Sequence, residues 1–164
     1  MAKVKSDVDF EIVDPSTPIA LQAMGYYFAE LSERFPHGFD VVTAMSSSLA
    51  NYVSPLGMFL VAHSGGEVVG CGAVQWLDDS TGEIKRMWIA KSARGVGLGS
   101  RMLENLELLI SDTGRTRAVL DTNKTLVEAI AMYRRHGYTE IEEYNDNPDA
   151  ELWFEKSLDG VAKS

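Results

Sequence analysis

Apolar runs and the breaks between them divide the chain into short strands and amphipathic helices. Residues 10–13, Phe-Glu-Ile-Val, read as a first strand stopped by Asp14-Pro15. Ser16 or Thr17 can cap the following segment, and Pro18 suits a first helical turn. A helix is therefore expected from there to about Phe35, where Pro36-His37-Gly38 breaks it. A second helical stretch is expected over about residues 40–52, ahead of Pro55-Leu56-Gly57. Residues 58–62 are continuously apolar, and His63-Ser64-Gly65-Gly66-Glu67 is a hairpin connection into a strand over 68–77. Asp78-Asp79-Ser80-Thr81-Gly82 turns the chain again, into a third strand over 83–90. Plain alternation puts Glu83, Lys85, Met87 and Ile89 on one face of that strand, with Ile84, Arg86 and Trp88 on the other.

The period then changes. Leu98, Met102, Leu103, Leu106, Leu109 and Ile110 recur at three- and four-residue spacing, which predicts a helix over 97–113. Gly114 closes it, residues 116–122 read as a strand, and a helix over 126–135 ends in His136-Gly137, where glycine supplies a left-handed cap. Strands over 138–144 and 151–156 flank the turn residues Asn145-Asp146-Asn147-Pro148-Asp149. Helical elements following an antiparallel run predict an α+β protein with a mixed, largely antiparallel central sheet and flanking helices. Residues 8–158 are expected to form one domain, with 159–164 a disordered tail.

Composition narrows the class. The chain has 164 residues, enough to bury a core without a metal or disulfide staple. Lys plus Arg total 15 against 24 Asp plus Glu, a formal charge of −9 that disfavours nucleic acid and anionic membranes. The single cysteine, Cys71, excludes an internal disulfide and a Cys-rich metal site. The first residues contain no apolar h-region, and no apolar run reaches the roughly 18 residues of a bilayer span. A reducing, cytoplasmic setting is the expectation.

The most informative segment is Arg94-Gly95-Val96-Gly97-Leu98-Gly99, between a strand and the strongest amphipathic helix. Glycines let successive amides converge, and a helix N-terminus adds partial positive charge, so the loop is either a phosphate cradle or a ligand-free connection. It is not a Walker loop, since Gly99-Ser100-Arg101 replaces Gly-Lys-Ser/Thr. A dinucleotide fingerprint is excluded too, because its final glycine is missing.

Downstream, Asn123 ends a strand and Tyr133 lies ten residues on, before Gly137 and Tyr138. Over roughly residues 10–158 the chain resembles the GNAT superfamily of acyl-CoA-dependent N-acetyltransferases. Arg94, Gly97 and Gly99 match that family's Arg/Gln-x-x-Gly-x-Gly/Ala loop, and Asn123, Tyr133, Gly137 and Tyr138 match its C-terminal motif. The resemblance implies acetyl-CoA as cosubstrate, no metal, and a splayed pair of parallel strands forming the acyl-CoA cleft. Amides of Arg94, Gly95, Val96, Gly97, Leu98 and Gly99 would hold the pyrophosphate. Backbone of Met87, Trp88 and Ile89 would pair with pantetheine, one amide polarising the acetyl carbonyl. Asn123 would bond the pantetheine arm, or cap the following helix. Tyr133 would protonate the leaving thiolate, or simply fill the groove between helix and sheet.

A protonated amine needs a base, and Glu83 is the candidate, with an ordinary strand-end glutamate as the alternative. The acceptor side would come from the first helices and last hairpin, which offer Tyr26, Glu30, Arg34, Phe35, His37 and Phe39, then Tyr144, Asn145, Asp146 and Asp149. Arg34, Phe35 and Tyr144 are the substrate-binding candidates. Aromatic rings with carboxylates suit a cationic amine, whereas Arg34 could clamp a carboxylate. Cys71 sits in an apolar strand without an adjacent base, which argues for direct transfer rather than a covalent thioester. The expected reaction is acetyl transfer to a primary amine of a small molecule, amino acid or peptide. A non-catalytic acyl-CoA-binding module is the alternative, and assembly as a homodimer is compatible with the sequence.

Overall fold

A computed structural model describes residues 8–34 and 49–159. Its strands are β1 (Asp9–Val13), β2 (Gly57–Ser64), β3 (Glu67–Trp76), β4 (Thr81–Ile89), β5 (Arg117–Thr122), β6 (Thr139–Ile141) and β7 (Leu152–Ser157). The helices are α1 (Pro18–Arg34), α2 (Leu98–Asp112) and α3 (Val127–Arg135). One seven-stranded sheet runs in the order β1-β2-β3-β4-β5-β7-β6. Only β4 and β5 pair in parallel, so the α+β fold with a mixed, mostly antiparallel sheet is as expected.

Strand alternation gives the sheet two apolar faces. Leu60, Val69, Val74, Ile84 and Leu120 face one way, under α2. Phe59, Val61, Cys71 and Ala73 face the other, under α1. In α2 the predicted stripe is buried: Leu98, Met102, Leu103, Leu106 and Ile110 are at most 1% exposed. At about 1.5–3 kcal/mol per buried side chain, these five alone contribute roughly 8–15 kcal/mol toward docking the helix. Helix α1 starts where Asp14 receives Ser16 N and Oγ at 2.8 and 2.6 Å, and the Thr17 carbonyl takes the first helical bond from Leu21. Helix α3 ends as its sequence predicts. Gly137 is left-handed at φ 94°, with Tyr138 N on Tyr133 O and Gly137 N on Arg134 O.

The feature that positions the site is a bulge in β4. Cys71 pairs with Trp88 and Ala73 with Lys85, so Gly72 alone faces both Arg86 and Met87, and Arg86 takes φ 54°. A Cβ on Gly72 would come within 2.6 Å of Leu106 Cδ1, so the strand meets α2 most closely opposite the bulge. The extra residue resets alternation. Met87 and Ile89 join Ile84 on the α2 face, whereas Trp88 packs on the α1 face. The uninterrupted alternation that put Glu83 and Met87 on one face is thereby corrected.

One other expectation changes, and two fall largely outside the described residues. Of the helix expected over 40–52 only the end is described, a 3-10 turn at Leu49–Tyr52; residues 40–48 lie outside the described residues, as do Phe35, His37 and Phe39. The strand expected over 138–144 stops at Ile141, because Tyr144, Asn145 and Asn147 turn inward to bond side chains on β4 and β5. The tail expected beyond Leu158 lies outside the described residues from 160 onward.

Candidate active site

Strands β4 and β5 pair only from Thr81/Arg117 to Glu83/Val119 and then diverge. A cavity of about 580 Å³ follows the freed end of β4. Its lining takes in Met87, Trp88 and Ile89, Tyr27 and Leu31 of α1, and Leu126, Ala129, Met132 and Tyr133 of α3 and its approach. The glycine loop closes one side. Gly97 is left-handed at φ 82° and gives way to the first turn of α2. Among the described residues no backbone carbonyl accepts from the amides of Gly95, Val96 or Gly97, and first-turn amides of Leu98, Gly99 and Ser100 have no helical partner. Six consecutive donors are thus available, with no Cβ possible at Gly95 or Gly97 without backbone strain.

The loop is braced by one carboxylate. Glu30 of α1 receives Arg94 Nη2 at 2.6 and 2.8 Å, Trp88 Nε1 at 3.2 Å, and pairs with Arg34 Nε at 3.1 Å. Arg94 Nε also donates to Ile89 O at 3.0 Å, and Arg34 Nη1 reaches Glu128 Oε1 at 3.2 Å. Each exposed pair is worth about 1 kcal/mol or less, yet together they fix loop, strand end and both helices in one frame.

A smaller cavity of about 270 Å³ continues into the split between the strands. Met87, Tyr27, Leu31, Leu126, Ala129 and Tyr133 border both spaces. Tyr133 is 7% exposed, and its hydroxyl makes no hydrogen bond among the described residues. Burial first, and then the charge of Asp121, pushes its pKa up to about 12, so the phenol holds its proton throughout the neutral range. Behind the smaller cavity lies a polar cluster. Tyr144 Oη donates to Glu83 Oε2 at 2.7 Å, and Asn145 Nδ2 spans Glu83 Oε2 at 3.2 Å and Asp121 Oδ2 at 2.6 Å. Lys85 Nζ stands 3.6 Å from Glu83 and 3.7 Å from Asp121.

The chain's relatives agree with this architecture. The profile described as an acetyltransferase (GNAT) domain matches residues 55–140, just over half of the chain. The chain belongs to the GNAT acetyltransferase family. An IAA acetyltransferase of Azospirillum brasilense is 37% identical over 103 residues, covering 61% of this chain and 67% of that one. The GNAT-family acetyltransferase of Staphylococcus aureus superposes with TM-score 0.77 at 16% identity, covering 92% of this chain and 99% of that one. A GNAT-family acetyltransferase of Elizabethkingia anophelis, solved with acetyl-CoA bound, gives TM-score 0.67 at 16% identity over 94% of this chain and 100% of that one.

Within this acetyltransferase, Met87, Trp88, Ile89, Arg94, Gly95, Gly97, Leu98, Gly99, Arg34 and Tyr133 all border the larger cavity. Val96 turns its side chain onto the core and leaves only its amide at the loop. Asn123 borders the smaller cavity alone, and its side chain is already used. Oδ1 accepts from Thr125 N and Oγ1 at 3.0 and 2.8 Å, and Nδ2 donates to Asp149 O at 3.0 Å. It folds the turn before α3 rather than capping the helix itself, which begins from Leu126. Glu83 is 5% exposed and, with Tyr144, stands apart from the residues bordering either cavity. Cys71 is fully buried with Sγ on Arg86 O at 3.3 Å, and burial pushes its thiol pKa up, so it is no thiolate nucleophile. Asp121 and Lys85 escape sequence reading. Their signals are a lone carboxylate ending an apolar strand and a cation beside Glu83, neither distinctive without the β4/β5 split.

Proposed function

We propose that the enzyme transfers acetyl from acetyl-CoA to a small primary amine by direct attack, donor in the larger cavity and acceptor in the smaller. The observation that carries this reading is the run of six available amides at residues 95–100, set beside a cleft whose floor is the freed edge of β4. Those amides and the α2 N-terminus would take the pyrophosphate, with Arg135 also bordering the space. Acetyl-CoA supplies an activated thioester. Backbone on the β5-facing edge of Met87–Ile89, which no strand covers past Glu83, would hold the pantetheine amides and polarise the acetyl carbonyl. Tyr133, bordering both cavities with its proton retained, would protonate the departing sulfur.

Glu83, behind the smaller cavity, would serve the amine by holding Lys85 and the Tyr144–Asn145 turn in place rather than by touching it. Asn123 would shape the cavity lip through its turn. A space of about 270 Å³ falls below the roughly 300–1,000 Å³ of sites for drug-sized ligands, which favours a compact acceptor over a folded protein. Release of free thiol from acetyl-CoA across a panel of amino acids, alkylamines and short peptides tests the reading. Turnover should concentrate on compact primary amines. Release only with peptides, or stabilisation by ATP instead of CoA, would overturn it.

A further inference from the structure

The last of the six loop amides belongs to a residue with a hydroxyl as well, and one histidine decides where that hydroxyl points. Ser100 borders the larger cavity in the first turn of α2, and its Oγ stands 2.9 Å from Nε2 of His136. His136 caps α3, its amide donating to the carbonyls of Met132 at 3.0 Å and Tyr133 at 3.1 Å. The helix that carries Tyr133 thus also reaches the start of α2. A serine hydroxyl holds one hydrogen and two lone pairs, and neutral imidazole offers one N–H and one lone pair. When Nε2 is bare, the serine hydrogen points at it, and Ser100 turns only lone pairs toward an anion in the cavity. When Nε2 carries hydrogen, it donates to Oγ and frees the serine hydrogen for the anion. Imidazolium always carries that hydrogen, and it adds a positive charge behind the serine. Nδ1 makes no hydrogen bond among the described residues, so it can take the second proton without breaking a contact.

Resting on the acetyl-CoA reading above, we infer that His136 is a positioning residue for the cosubstrate: through Ser100 it turns a hydroxyl hydrogen onto the pyrophosphate, and pyrophosphate binding draws a proton onto the imidazole. Imidazole is the side chain that exchanges its proton between about pH 5 and 8, so affinity for CoA is tied to pH in that range. The bound anion favours imidazolium, so the complex holds the proton more tightly than the free enzyme does. Affinity is then greatest at low pH, and it falls as pH rises through the titration of the free enzyme and then of the complex. The other charges around the imidazole are Arg134 and Arg135 of α3, Arg101, Glu104 and Glu107 of α2, and Lys156 of β7, whose Cε would stand 3.9 Å from a Cβ at Gly137. Glu107 pairs with Lys156 at 3.0 Å and Arg134 with Glu140 at 3.6 Å. Among the described residues no carboxylate pairs with His136, which leaves the pyrophosphate as the anion that its charge meets.

The test uses dephospho-CoA, which keeps the pyrophosphate and lacks the 3′-phosphate, a group that itself titrates near about pH 6. Calorimetric titrations between about pH 5.5 and 7.5, in buffers of different ionisation enthalpy, read affinity and proton uptake together. The proteins are wild type, His136→Gln, Ser100→Ala and Ser100→Thr. Wild-type affinity should fall by about three- to tenfold from the acid to the neutral end, with uptake peaking at about 0.3–0.5 proton per site. His136→Gln keeps an N–H for Oγ but cannot titrate, so its affinity should stay nearly level and its uptake near zero. Ser100→Ala should bind more weakly than wild type throughout and lose most of the pH dependence, and Ser100→Thr should restore both. The two ends of the contact are probed separately, so misfolding of either variant leaves the other to decide. Weaker binding in the variants with wild-type proton uptake would make the pair a scaffold and overturn the inference. So would a wild type that binds with no uptake at all, or full pH dependence in Ser100→Ala. Failure of the wild type to bind either CoA or dephospho-CoA at any pH would instead overturn the acetyl-CoA reading, and this inference with it.

Discussion

Tyr133→Phe is the sharpest single perturbation, because it deletes one hydroxyl and keeps the ring. The ring's neighbours, Tyr138 at 6.0 Å and Phe154 at 6.2 Å between centroids, are unaffected, and no hydrogen bond among the described residues is broken. Stability should therefore change by less than about 1 kcal/mol. The catalytic cost has two limits. A free phenol near 10 and a free thiol near 8.5 differ by about 1.5 units, or about 2 kcal/mol, but burial moves Tyr133 to about 12. Against a fully solvated thiolate the transfer would then run uphill by about 3.5 units, or about 4.8 kcal/mol. In that limit the hydroxyl contributes only a hydrogen bond to an anion, about 1.5–3 kcal/mol, or roughly ten- to 150-fold. If sulfur departs into the same dry space, its own proton affinity rises, transfer is restored, and the loss reaches about a thousandfold. Single-turnover rates with acetyl-CoA and a good amine should thus fall between about tenfold and a thousandfold, with acetyl-CoA Kd within a few-fold. An acetyl donor carrying a more acidic thiol should narrow the gap between variant and wild type. An unchanged single-turnover rate, or a gap independent of the leaving thiol, would assign the hydroxyl no part in the reaction.

Two further outcomes follow from the loop and the buried tyrosines. Gly97→Asp puts a side chain on a φ of 82° and a negative charge among the six loop amides, and should abolish thermal stabilisation by CoA while leaving the far-ultraviolet spectrum unchanged; a retained shift would place the phosphates elsewhere. Tyr133 and Tyr138 are buried and neutral, with folded pKa values raised above that of the unfolded chain, so their contribution is whole below about pH 10 and is lost as pH climbs through the folded values. For Tyr133 that is about two units, or about 2.7 kcal/mol, by pH 12, so absorbance at tyrosinate wavelengths should rise together with unfolding rather than ahead of it.

What the sequence could show was local. The α2 stripe, the glycine loop, the Gly137 cap and the turn at residues 14–17 depend on neighbours a few positions apart, and each stands where spacing and residue type put it. The bulge at Arg86 is different in kind. It depends on Gly72 letting Leu106 of α2, 34 residues further along the chain, press against the sheet. An inserted residue shifts strict alternation by one, so every β4 residue after Arg86 lies on the face opposite to the one a period of two gives. The acceptor side failed for a related reason. Tyr144, Asn145 and Asn147 read as a strand end and a turn, and only the parting of β4 from β5 gives their side chains carboxylates to bond. Tyr27, Glu30, Leu31 and Arg34 could have been grouped, since spacing of three, four and seven places them on one face of α1.

The most direct test of the account is amide hydrogen exchange of the wild type with and without saturating CoA. New protection is expected at residues 95–100, where the loop amides lack backbone acceptors, and at the freed edge of β4 over Met87–Ile89, with little change along β1 and β2. Protection confined to other surfaces, or none at residues 95–100 under conditions where CoA is bound, would contradict it.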